Sequence, residues 1–333
     1  MTSESRTSVE VTTEQQSSHS SKDKDLSSES RARARAIANR DLKPALFFLA
    51  PALVGCAVFV VYPLISAIVL SLTDFNGITP PEFVGIENFR RLFTTDPSFI
   101  SSLKATGYLV LLYVPLSIIL GLLLALFVNV RLPAVSFVRT ILYLPAVLPI
   151  VATVTLWKFI FDPQVGLANQ IIGALGLPEQ QWLSNSATAM PSIVLVMLWG
   201  IGSTMVIMLA ALQAVPREIY EAAMIDGSGS IRMFFQITLP SIVPILILQF
   251  VMQLNAAMQT FVQPRILTQG GPGWDTTTLM LSIYDHAFPT MGRIPELGFA
   301  TAQVWVLFAI VVAVLAVSAR FMKIWKYDDA VQY

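Results

Sequence analysis

Six long uncharged runs separated by short polar stretches set out this chain. They span residues 44–73, 105–130, 140–157 with its flanks, 190–215, 233–264 and 297–319. Each has about the 20 residues a helix needs to cross a bilayer. Helices are the expected spanning form, because lipid offers no partner to a free backbone group. The pattern therefore predicts an all-α integral membrane protein with six transmembrane helices. The third run holds Pro145 and Pro149, so a kink is expected there, with the run packed among other helices rather than facing lipid. Between the third and fourth runs, Leu167 to Leu175 has the spacing of a short amphipathic helix.

Residues 1–43 break the pattern. They are rich in Ser, Thr, Glu and Lys, cannot bury a core, and are expected to form a disordered cytoplasmic tail. The tail ends in Arg31, Arg33, Arg35, Arg40 and Lys43. The apolar run that follows is too long for a signal-peptide h-region of about 7–15 residues, so a retained first span is expected. With both termini in the cytoplasm, that side gains Arg131, Arg139, Arg217, Arg232, Arg320, Lys323 and Lys326 besides the tail cluster. The outer side holds only Arg90, Arg91, Lys104, Lys158, Arg265 and Arg293. This asymmetry is the one expected of a plasma-membrane protein with cytoplasmic ends. The domain reading is a tail at 1–43, a six-helix membrane domain at 44–322 and a cytoplasmic tail at 323–333.

A polar interruption leads from the fourth run into the fifth at 216–240, PREIYEAAMIDGSGSIRMFFQITLP. Pro216 suits a first helical position and Glu218 the first turn, where the helix dipole favours an acid. Gly227 after Asp226 supplies a left-handed stop. Ser228 or Ser230 is the expected cap of a second helix leading into the fifth span. The stretch reads as a cytoplasmic helix–turn–helix hook.

Composition narrows the chemistry. The chain is 55% hydrophobic and 13% charged, about half the charge of a soluble domain. A net charge of zero gives no footprint for nucleic acid. One cysteine, Cys56, and two histidines, His19 and His286, support neither an internal disulfide nor a Cys/His metal site. No Ser has a His base within the spans, and no G-x-x-x-x-G-K-[ST] occurs, so neither a catalytic arrangement nor a nucleotide cradle is expected. The uncharged cores hold no ionisable residue of the kind that ion-coupled carriers keep. Any driving energy is therefore expected from a separate subunit.

Glu221-Ala222-Ala223, with Gly227 four residues on and Ile237-Thr238-Leu239-Pro240 beyond, resembles the EAA loop of importer permeases of the ATP-binding cassette (ABC) class. The Phe83–Phe89 segment, Tyr143-Leu144-Pro145, Trp182-Leu183 and the run from Gly270-Gly271-Pro272 to Ala300 resemble the carbohydrate branch of that family, including the maltose and glycerol-phosphate permeases. The resemblance implies a permease subunit that imports a di- or oligosaccharide or related polyol by alternating access. It implies a second permease of similar fold, two ATPase subunits that bind ATP and Mg, and an extracytoplasmic solute-binding protein, with no cofactor in this chain. Glu221, Ala222, Ala223, Asp226 and Gly227 are its implied ATPase-coupling residues.

On an uninterrupted fifth helix Gln249, Gln253, Thr260 and Gln263 share one arc, with Gln259 at its edge and Asn255 further round. Neutral amides donate and accept, which suits sugar hydroxyls or a neighbouring helix equally. The family places sugar contacts in this span and the one before the hook, where Trp199, Gly200, Ser203 and Thr204 stand. The expected substrate pathway is therefore Gly200, Ser203, Thr204, Gln249, Gln253, Gln259 and Thr260. Other readings are an ATPase-independent channel or carrier, a membrane-anchored structural subunit, or an ABC permease for glycerol phosphate or a non-sugar solute.

Overall fold

The computed structural model describes residues 44, 47–130, 134–290 and 292–329, with side chains described to residue 318 and at Arg320. The polar tail and its basic cluster, Arg131, the side chains of Lys323 and Lys326, and residues 330–333 lie outside the described residues. The chain divides into two compact units, residues 1–67 and 68–333.

Helix α1, Phe47–Ser71, is apolar and contains a π-helical turn over Ala57–Val61. In the second unit a small hairpin, β1 (Thr73–Asp74) and β2 (Glu82–Phe83), precedes α2 (Glu87–Thr94). Asn88 of α2 donates to the carbonyls of Ser71 and Thr73, both at 2.9 Å, and so pins the hairpin. This explains an asparagine within the Phe83–Phe89 segment.

Helix α3, Pro97–Phe127, lies at the centre of the second unit. Asp96 caps it by accepting from the Ser98 amide at 2.8 Å, and Pro97 takes the position that needs no N–H. The span thus starts about two turns before the uncharged run, and Lys104 lies inside the helix. Next come α4 (Val135–Val147) and α5 (Ile150–Ile160), which meet at 97°. Leu148 and Pro149 are extended at the corner, so the expected kink is a full break.

That break leaves the third run little covered within the single chain. No residue of α4 is buried, and only Val154 of α5 is. The bend leaves two short segments, each with one dominant neighbour. Helix α4 lies on α8, and α5 on α12.

Helix α6 (Leu167–Ala174) is the short helix expected between the third and fourth runs. Helices α7 (Ser186–Trp199) and α8 (Gly202–Ala214) make up the fourth run, bent by 54°. The hook follows as α9 (Arg217–Ile225) and α10 (Ser230–Met233). A π turn, Phe234–Thr238, joins α10 to α11 (Leu239–Met258). The fifth run ends in α12 (Val262–Leu267). A loop leads to α13 (Leu279–Ala287), and α14 (Leu297–Asp329) closes the chain. Among the described residues, four helical stretches are long and apolar enough to span a membrane, and counting each of the two bent pairs as one span makes six.

Two apolar clusters hold the second unit together. One gathers Phe99, Leu109, Met190, Ile193 and Leu254 around α3 and α7. The other gathers Ala125, Met205, Met208, Leu212 and Ile242 at the end nearer the hook. At the far end, Arg91 pairs with Glu296 at 2.9 Å and lies 4.2 Å over the Phe299 ring, tying α2 to α14. Burial pushes the Asp285 carboxyl above its usual range although the Arg265 guanidinium stands beside it at 2.6 Å. Desolvation there outweighs the attraction.

Candidate functional sites: the hook and the cavity at the span breaks

The hook closes as the sequence dictates. Asp226 follows the last turn of α9, and Gly227 takes a φ of +78°. The Gly227 and Ser228 amides donate to the Met224 and Ala223 carbonyls at 3.1 and 2.9 Å, which satisfies helix-end acceptors. Two local expectations need correction. Pro216 stands just before the helix as its N-cap rather than at its first position. Neither Ser228 nor Ser230 caps α10, whose N-cap is Gly229 with no side-chain bond. The entry to α10 is extended, at φ −76° and ψ 163°, so glycine is the residue at the cap and Ser230 is already helical.

The hook shows solvent an apolar face. Ile225 is 87% exposed and Ile231 is 78% exposed. Glu221 and Ala222 are exposed, Ala223 is half-buried, and Asp226 is exposed. Glu221, Asp226 and Arg217 form no ion pair among the described residues. Underneath, Tyr220 packs on the hook-end cluster, and its hydroxyl meets the Thr238 hydroxyl at 2.9 Å. Thr238 belongs to the π turn that starts the fifth span. The hook is thus coupled to α8 through the cluster and to α11 through Thr238.

The second site lies where two spans break. A cavity of about 180 Å³ is lined by Pro145 and Leu148 at the α4–α5 corner, by Trp199, Gly200 and Ser203 at the α7–α8 bend, and by Thr153 and Gln263. Its polar groups are an indole, two hydroxyls and an amide. It contains no charged side chain.

The amide stripe of the fifth span does not stay on one face. Helix α11 ends at Met258, and residues 259–261 are non-helical before α12. The break is held from outside the span: the Thr278 hydroxyl donates to the Thr260 carbonyl at 2.6 Å. Gln263 therefore turns to the cavity, whereas Gln249 is buried within the helix packing. The Gln249 Nε2 has no partner among the described residues. Gln253 links three spans, because it accepts from the Tyr113 hydroxyl at 2.8 Å and donates to Thr204 at 2.6 Å. Gln259 is exposed and donates to Asn255 at 2.7 Å, and the Thr260 side chain bonds back to the Ala256 carbonyl.

Of the expected pathway residues, the fold brings Gly200 and Ser203 to the cavity, places Thr204, Gln249 and Gln253 in the helix packing, and leaves Gln259 and Thr260 outside the lining. Sequence reasoning missed Thr153 and Tyr113. Two tyrosines in the apolar run 105–130, Tyr108 and Tyr113, were the available signal for the latter.

A family model described as "Binding-protein-dependent transport system inner membrane component" matches residues 117–325, more than half of the chain. The chain belongs to this family. This permease is 31% identical to the probable ABC transporter permease YesP of Bacillus subtilis, over 88% of this chain and 94% of that one. It is 34% identical to the sulfoquinovosyl glycerol transport permease SmoG of Agrobacterium fabrum, over 85% and 91%. Its fold matches a chain in the crystal structure of a bacterial alginate ABC transporter in complex with an alginate pentasaccharide-bound periplasmic protein. The TM-score is 0.72 at 24% identity, over 84% of the permease and 94% of that chain. The resemblance carried by Glu221-Ala222-Ala223 and Gly227 thus led to the right family.

Proposed function

We propose that this permease is the membrane subunit of an ATP-driven importer for a neutral di- or oligosaccharide or related polyol. It works with a second permease of similar fold, two ATPase subunits that hold ATP and Mg, and an extracytoplasmic solute-binding protein. The hook and both chain ends face the cytoplasm. ATP binding draws the ATPases together and α9 moves with them. Tyr220 and Thr238 pass that movement to α8 and α11, and the spans reorient about the cavity at their breaks. Glu221 meets a basic group of the ATPase, and Ala222, Ala223, Asp226 and Gly227 shape the docked hook.

The observation that carries this reading is the exposed apolar hook, with its unpaired charges, anchored to two spans. Apolar side chains this exposed at the edge of a polar segment suit a partner groove. The sugar class rests on the sulfoquinovosyl glycerol relative and on the cavity lining, whose hydroxyls, amide and indole suit sugar hydroxyls and ring faces. The lining holds no cation, which favours a neutral ligand over a phosphorylated one.

A single cysteine in place of Ala222 tests the coupling. Cys56 is exposed and must first become serine. Crosslinking to the co-expressed ATPase, with a yield that changes when ATP is added, is the expected result. An Ala222→Cys variant labelled only from outside the cell would reverse the orientation and remove the coupling role.

A further inference from the structure

We propose that the far end of the permease carries a second carbohydrate subsite, in which Trp274 stacks on a neutral sugar ring whose hydroxyls are held by Lys104 and Asp275. The proposal rests on the sugar-importer reading and assigns residues that the cavity at the span breaks does not use.

A cavity of about 560 Å³ opens there, between the first turns of α3, the start of α7 and the loop before α13. Its size falls within the roughly 300–1,000 Å³ of small-molecule sites. Ser101, Lys104, Tyr108, Ser186, Trp274 and Asp275 supply its polar and aromatic lining. Trp274 and Tyr108 are each 48% exposed, so both offer aromatic surface to the pocket. The side chains of Lys104 and Asp275 have no ion pair among the described residues, although both line the same space.

The loop that presents Trp274 and Asp275 is fixed from below. Thr276, Thr277 and Thr278 are buried. Thr276 donates to the Gly271 carbonyl at 2.7 Å, Thr277 to the Gly270 carbonyl at 3.0 Å, and Thr278 to the Thr260 carbonyl at 2.6 Å. The Leu279 amide then donates to Thr106 of α3 at 2.8 Å, two residues from Lys104. The loop and α3 are therefore locked in register, so the backbone positions of Trp274, Asp275 and Lys104 are preset around one cavity. Preset groups save the ordering cost of binding.

The chemistry fits a sugar. An indole face covers the apolar face of a pyranose. A carboxylate only accepts hydrogen bonds and an ammonium only donates them, whereas a hydroxyl does both. Lys104 and Asp275 together thus satisfy neighbouring hydroxyls in opposite roles. Their charges cancel, so the pocket exerts no net pull on an acidic sugar. Sugar arriving at this end meets the subsite before the cavity at the span breaks.

The test uses the assembled transporter, with maltotriose as the neutral probe and trigalacturonate as the acidic one. Saturation-transfer NMR reports contact without ATP, and ATP-driven uptake of maltotriose is measured in parallel. The expected result is maltotriose contact in the wild type, weakened about tenfold in Trp274→Ala, retained in Trp274→Phe, and weakened in Lys104→Gln. Equal thermal unfolding of variants and wild type controls for folding. Unchanged contact in Trp274→Ala, stronger contact by trigalacturonate than by maltotriose, or no maltotriose contact in the wild type would overturn the subsite. Release of the solute-binding protein by Trp274→Ala, with sugar contact unchanged, would make the pocket a protein-docking surface instead. Intact uptake alongside any of these results sinks only the subsite, whereas absence of ATP-driven sugar uptake in the wild type sinks the importer reading.

Discussion

Replacing Gly227 with proline is expected to abolish transport while the ATPases stay active and the permease stays folded. Gly227 has a φ of +78°, and a proline ring holds φ near −65°. Proline also removes the amide that closes α9 on the Met224 carbonyl. A side chain at this position meets nothing within 4 Å, so the effect is one of backbone conformation and not of crowding. The turn would open and redirect Ile225, Asp226 and Ile231. Asparagine tolerates the left-handed region, so Gly227→Asn should retain most of the coupling. The measurement is ATP hydrolysis and sugar uptake by the same purified complexes. Transport still coupled to hydrolysis in Gly227→Pro would mean that the turn does not transmit motion.

Gly202→Ala is expected to damage assembly although it adds only a methyl group. Gly202 opens α8 immediately after the bend in the fourth span. An added methyl there would run into the Leu142 carbonyl and lie 2.7 Å from the Tyr143 Cα. Both obstacles are backbone atoms of α4, so neither can rotate away. Overpacking typically costs about 1–3 kcal/mol, and here it falls on the packing of α4 against α8. Gly200, two residues earlier, meets only the Met197 carbonyl at 3.7 Å. Gly200→Ala should therefore stay within about 0.5 kcal/mol of the wild type. Thermal unfolding of the purified complexes would separate the two variants. Equal stability would refute the close α4–α8 approach.

The parts of the fold written in local chemistry were legible in the sequence. The uncharged runs gave the spans, Pro145 and Pro149 marked the broken third run, and Asp226-Gly227 marked the end of α9. Ser228 and Ser230 misled because a serine near a helix start reads as a cap whether or not the backbone brings its side chain to the free amides. The break at residues 259–261 was not legible. It contains neither glycine nor proline, and a hydroxyl from Thr278, eighteen residues on, holds it. A periodicity argument assumes one helix, so it aligned Gln263 with Gln249 when the chain separates them. The partners of Gln253 were hidden for the same reason, since Tyr113 and Thr204 reach it from distant stretches of sequence. The far-end pocket likewise joins Lys104 to Asp275 only through the fold.

Sugar uptake into sealed vesicles tests the central claim most directly. The permease would be reconstituted with its partner permease and solute-binding protein, with and without the ATPase subunits, and ATP supplied on the hook side. Accumulation against a gradient only when the ATPases and ATP are both present is the predicted result. Equal uptake without them would contradict the account and make the chain a carrier or channel whose hook transmits nothing.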